Sequence, residues 1–337
     1  MTRSSWVCAA ALGALTLVAT VPAPAAAQPL ESAPALKGEV CSVSTLLDQI
    51  RRGLGSKSEA YRRYLRTLLR ESAVNLSAVE LRSAFARERH PVVAEHLAAA
   101  LVARTERGAD PSGMQTVADR VLSEQDPDVR AAVVRALRRT SALEHTGDLY
   151  ERLVRDPSPA VRSEAAKNLI EDNQFVYSGH HGPAADAAVA AAAVATDPRV
   201  AAQILGNIST EAVSRSSAGT LQGLLHSSDA ELRSAAAVAL GGVPAAAAAA
   251  ARESLLDLYR DERDSSVRKA ILQGIAQLGF ASAVPELVRL RDIDPRLESE
   301  VDAWIQTLSK GLPEWSLILR EKQRLQQTLQ AAGQGSR

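Results

Sequence analysis

Residues Asp126-Pro127-Asp128-Val129-Arg130-Ala131-Ala132-Val133-Val134-Arg135-Ala136-Leu137 spell a helix with a marked start. Asp126 offers a side-chain oxygen to a free backbone N–H of the first turn. Pro127 suits the first helical position, where its missing N–H is no loss. Asp128 places negative charge at the positive end of the helix dipole. Val129, Ala132, Val133, Ala136 and Leu137 then fall on one apolar stripe at the 3.6-residue period. A single helix of this kind cannot bury its stripe alone, so the chain must supply neighbours.

It supplies copies. Asp156-Pro157, Asp197-Pro198 and Asp294-Pro295 open the same phrase, and Asp229 and Asp264 open it without the proline. The first buried position of each copy is Tyr61, Val93, Val129, Val161, Val200, Leu232, Val267 or Leu297. Each of these anchors has an apolar residue four and eight positions further on. Consecutive anchors lie 30 to 39 residues apart, inside the range of about 20–50 that marks stacked helix pairs. The pattern predicts an all-α chain, a right-handed superhelix of about eight helix pairs in one continuous domain.

The Asp-Pro-x-x-Val-Arg starts resemble the HEAT-repeat family, in its short PBS-lyase HEAT-like form, over Cys41 to Leu308. The resemblance implies a ladder in which the Arg after each anchor pairs with an Asp of an adjacent repeat. Arg62, Arg130, Arg162, Arg233 and Arg268 stand at that position, with Asp126 and Asp156 among the acids. Ala94, Ala201 and Glu298 do not match, so the ladder should be interrupted there. The charge logic agrees, because an Arg in the first turn faces the positive end of the dipole and needs an acid.

Met1 to Ala27 read as a secretory signal peptide: Arg3, an apolar run from Trp6 to Val21, and Ala25-Ala26-Ala27 before Gln28. Residues 28–40 form a flexible leader, 41–310 the solenoid, 311–330 a C-terminal capping helix and 331–337 a disordered tail. Pro22 and Pro24 close the apolar run short of a span, and no later span is read. The expected protein is exported, periplasmic or secreted, and bacterial. Cleavage at Gln28 leaves 38 basic against 39 acidic residues, a balance that argues against a nucleic-acid binder. Cys41 is then the one mature cysteine, so no internal disulfide supports the fold.

The longest departure from the period is Glu171 to Asp186. Phe175 and Tyr177 fall there in a chain poor in aromatics, and so does the pair His180-His181. Insertions in a solenoid project from one face, and loops carry binding chemistry. These four residues are therefore the expected contact site, against the plainer reading of aromatics tucked under the stack. Two histidines do not complete a metal site, and neither a metal nor a cofactor is expected. His96, three positions after Val93, reads as a half-buried structural residue.

No catalytic residue is assigned, because no nucleophile elbow, phosphate-cradling glycine loop or zincin helix occurs. Glu95-His96 and Glu144-His145 have the reverse of the His-Glu order that HEAT-like di-iron hydroxylases use. The expected function is a non-catalytic scaffold that presents an extended surface to a protein or peptide. The alternative is a lyase- or isomerase-like HEAT enzyme, or an accessory subunit of an envelope enzyme.

Overall fold

The computed structural model describes residues 43–146, 148–177, 183–208 and 213–334. The signal segment, the leader, His180, His181 and residues 335–337 lie outside the described residues. Among the described residues there are helices and no strands. The anchors open or occupy eight helices: α2 (Glu59–Asn75), α4 (Pro91–Glu106), α6 (Pro127–Arg135), α9 (Pro159–Glu171), α11 (Pro198–Leu205), α13 (Ala230–Leu240), α15 (Ser265–Gly279) and α17 (Glu298–Leu308). Each packs on the next, and together they form one layer. The second layer is α1 (Val43–Leu54), α3 (Ala78–Arg87), α5 (Gly113–Ser123), α7 (Ala142–Thr146) with α8 (Leu149–Leu153), α10 (Pro183–Val194), α12 (Arg215–Leu224), α14 (Ala245–Asp261) and α16 (Val284–Ile293). The result is an α-solenoid of eight helix pairs, closed by α18 (Trp315–Gln334).

The caps follow from the local sequence. Asp126 accepts from the N–H of Asp128 at 2.9 Å, Asp197 from Arg199 at 3.0 Å and Asp229 from Leu232 at 2.9 Å. Ser77 and Glu80 form a reciprocal capping box, which sets the start of α3 at Ala78. Val129, Ala132, Val133 and Leu137 are fully buried, and Val134 on the other side of α6 is too. A helix held between two neighbours and a second layer has little free face left.

The anchor-adjacent arginines show how neighbouring pairs are tied. Arg130 grips Asp156 of the next repeat through two bonds, 2.9 and 2.8 Å, and donates a third to the Glu124 carbonyl at 2.9 Å. Arg233 grips Glu262 at 2.8 and 3.2 Å and donates to the Ser227 carbonyl at 2.9 Å. Arg268 pairs with Asp294 and donates to the Glu262 carbonyl at 2.8 Å. The acids Asp156 and Glu262 stand five residues before the next anchor, and Glu88 and Glu124 occupy the same place.

Arg62 and Arg162 depart from the expected ladder. Among the described residues Arg62 stays with Glu59 and the Ser56 carbonyl. Glu88, which it would have met, is taken by Arg51 at 2.8 Å. Arg162 donates to the carbonyls of Asp156 and Pro157, and its buried Nε has no partner. The reason is in the sequence: the place five before Val200 holds Ala195. Asp126 acts as a cap and makes no ion pair among the described residues.

Close helix packing needs small residues at the crossing of α13 and α15. A Cβ on Gly274 would stand 2.5 Å from the Ala237 carbonyl oxygen and 3.0 Å from Leu255 Cδ1. At the far end Trp304 stacks on Trp315 at 5.6 Å, and Phe280 meets Trp315 edge-on at 6.0 Å. Lys322 of α18 lies 4.3 Å above the Trp304 ring, so the last helix shields the open core. That helix runs to Gln334, past the expected boundary at 330. By length and composition Ser265–Ile293 could cross a membrane. Yet Phe280 interrupts it at φ +49°, and Val267, Ile271 and Ile275 are buried in the stack.

Arg130→Ala should lower stability by about 2–4 kcal/mol, because Asp156 is left charged and largely buried. Arg296→Ala, at an 89% exposed side chain, should leave the denaturation midpoint unchanged. Gly274→Ala should cost about 1–3 kcal/mol through overpacking. Urea denaturation followed by far-UV circular dichroism reads all three.

Candidate binding site at an irregular junction

Helix α6 ends early. After Arg135 the chain closes three short i→i+3 bonds, and Arg139 adopts a left-handed conformation at φ +57°. A non-glycine residue is strained there and needs support. The support is Asp172, whose Oδ1 accepts the Arg139 N–H at 2.8 Å. After this turn the second-layer helix comes as two short pieces, α7 and α8.

Asp172 also opens a π-helical turn, Asp172–Val176, that continues α9. The turn closes with the Tyr177 N–H on the Asp172 carbonyl at 2.9 Å. Asn173 braces it, donating to the carbonyls of Leu169 at 2.8 Å and Ala184 at 3.2 Å. The first half of the expected loop is therefore ordered helix, and π turns of this kind recur at functional sites.

The polar groups beneath are sealed. Asp172 is 0% exposed and its Oδ2 has no partner. Burial pushes its carboxyl up to about 7 against the Arg139 N–H, and the Glu171 charge adds to the rise. Asn168 donates to the Val134 carbonyl at 2.6 Å and to the Tyr150 hydroxyl at 3.3 Å, and accepts from Arg138 Nε at 3.1 Å. Burial, then the Asp172 charge, pushes the Tyr150 phenol far up. Asp172, Asn168 and Tyr150 are closed off from solvent by this packing.

The two aromatics expected at the site part company. Phe175 is 59% exposed, and the Arg139 guanidinium covers its ring at 4.2 Å. Arg139 is held in turn by Glu171, Nε to Oε2 at 2.6 Å. Tyr177 is half-buried against the core, and its hydroxyl donates to Glu144 at 3.2 Å. Burial, reinforced by that carboxylate, raises its phenol pKa. Phe175 thus faces outward and Tyr177 inward. His180 and His181 lie outside the described residues. His96 is half-buried with Nδ1 on the Val92 carbonyl at 2.8 Å. Among the described residues no three His, Cys, Asp or Glu side chains converge on one point.

Sequence reading missed Arg138, Arg139, Asn168 and Asp172. The run Glu171-Asp172-Asn173-Gln174 looks like a solvated helix end, and nothing in it signals a buried acid.

No family model matches the chain, and no curated protein sequence matches it. Among solved structures E. coli YibA is similar over 83% of this chain and 92% of its own, at 14% identity and a TM-score of 0.44. An engineered protein is similar over 85% of this chain and 99% of its own, at 17% identity and a TM-score of 0.29. A second engineered protein is similar over 69% and 98%, at 16% identity and a TM-score of 0.34. At such distances the repetition of this chain's own helices, not the likeness, carries the fold.

A carboxyl titrating near pH 7 when folded and near 3.9 when unfolded binds its proton more tightly in the folded chain. Its contribution is most favourable below about pH 4 and declines as pH rises to about 7, by up to roughly 4 kcal/mol. Asp172→Asn should therefore remove a fall in melting temperature between pH 5 and pH 8. Thermal denaturation of both chains across that range measures it.

Proposed function

We propose that this chain is an exported HEAT-like scaffold that binds a protein or peptide and does no chemistry of its own. The repeat starts at Asp126, Asp156, Asp197 and Asp294 support the HEAT reading. The Arg3, Trp6–Val21 and Ala25–Ala27 pattern supports export. The observation that carries binding is Phe175. It is a large exposed aromatic on an ordered turn, pre-positioned by Arg139 and Glu171, and among the described residues only Tyr64 is a comparably exposed ring. Rigid aromatic–arginine pairs supply binding energy at low ordering cost. The sealed state of Asp172 and Tyr150 supports the non-catalytic half of the reading.

Two measurements test this. The mature protein should begin at Gln28 and partition with the cell envelope; an intact Met1 on a cytosolic protein would remove the export reading. The chain from Gln28 should capture a specific partner from an envelope extract of its own organism. Capture should drop by roughly tenfold or more when Arg139 and Phe175 are both replaced by alanine. Equal capture by both chains would move the contact elsewhere on the solenoid, and no capture would remove the scaffold reading.

A further inference from the structure

The anchor helices present their outer faces side by side. Over its second half helix α4 offers methyl groups there, from Ala99, Ala100 and Ala103, beyond Glu95 and His96 of its first half. The flanking helices stand higher, with Arg70 and Val74 on α2 and Arg135 at the end of α6. The result is a trough of about 460 Å³, inside the range of roughly 300–1,000 Å³ that ligand sites occupy. Its walls keep an apolar stripe open to water, since Val74 is 43% exposed.

The charges around the trough are unequal. Arg70, Arg107, Arg135 and Arg138 line it against a single acid, Glu95. Arg135 is held by Glu95 at 3.1 Å and lies 3.7 Å from Glu164. Arg138 is bound by Glu164 and by Asn168. Arg70 and Arg107 have no side-chain partner among the described residues, and both are exposed. A chain with 39 cations and 39 anions thus leaves two cations unanswered beside an apolar floor. Arg138 also ties this trough to the buried Asn168 beneath the junction.

We infer that the trough between α2, α4 and α6 binds an acidic peptide segment, laying small apolar side chains on Ala99, Ala100 and Ala103 and carboxylates on Arg70 and Arg107. This rests on the scaffold reading and narrows it to a partner chemistry. An apolar floor with cationic ends favours alternating acidic and aliphatic residues over a purely charged polymer. Free arginines bind carboxylates through paired N–H donors, so the peptide is fixed in register as well as attracted.

The test is selection of random twelve-residue peptides, displayed on phage, against the full chain at low salt. Arg70→Gln/Arg107→Gln and Ala99→Leu chains are selected in parallel. None of these changes removes a described side-chain contact, and circular dichroism melts confirm that the variants fold. Sequences enriched on the parent chain should carry net negative charge and aliphatic residues. As synthetic peptides they should bind about tenfold or more weaker to either variant, and weaker again as salt rises. Enrichment of neutral or basic sequences, or of acidic ones that bind both variants as tightly as the parent, overturns the trough while leaving a binding scaffold. Absence of any enrichment overturns the trough and weighs against the scaffold itself.

Discussion

A buried carboxylate five residues ahead of an anchor is the constraint on which this stack depends. At each turn into an anchor helix the backbone leaves N–H groups unpaired and the positive end of a dipole withdrawn from water. Glu88, Glu124, Asp156 and Glu262 answer both, accepting one or two loop N–H groups while facing an arginine. The arginine in turn donates to loop carbonyls that would otherwise be orphaned. One ion pair therefore satisfies the loop of its own repeat and fixes the spacing to a neighbour. Losing one partner would strand a charge in a place with little water, which is why the remaining groups define a single stacking geometry.

Much of this architecture was legible because its signals are local. Cap, proline, anchor and stripe lie within twelve residues of one another, and the eight copies named the helix pairs correctly. The structure pairs Arg130 with Asp156, both named from the sequence, whereas Glu88, Glu262 and Arg51 carried no signal there. The acids five residues ahead of an anchor are three Glu and one Asp, and Glu88, Asp156 and Glu262 lie 26 to 37 residues from the arginines they meet. Ala195 is the instructive case: a small residue in the acid's place silences Arg162, and only a comparison of loops, not of helix starts, would have found it.

The junction was legible in the wrong form. Its aromatics drew attention to residues 175–181, but the reason for the irregularity sits earlier, in a left-handed Arg139 and the buried Asp172 that supports it. Long-range demands of this kind override local propensity, and they leave no periodic trace. The alanines of α4 were hidden more simply. In sequence they read as good helix formers, and only the height of the helices beside them turns three methyl groups into the floor of a trough.

The missing rung between α9 and α11 gives the solenoid an uneven stiffness. Arg130, Arg233 and Arg268 rivet their coils with ion pairs; here the coils meet through apolar contact and two bonds, Arg155 to the Val194 carbonyl and Gln174 to Asn207, next to a π turn. Pulled from its two ends, such a spring stretches first where ion pairs are missing among the described residues, from α9 to α13, and the ion-paired coils on either side move as two stiff segments. A protein that bridges partners on both segments could then take up strain at one seam without loosening the surfaces that hold them.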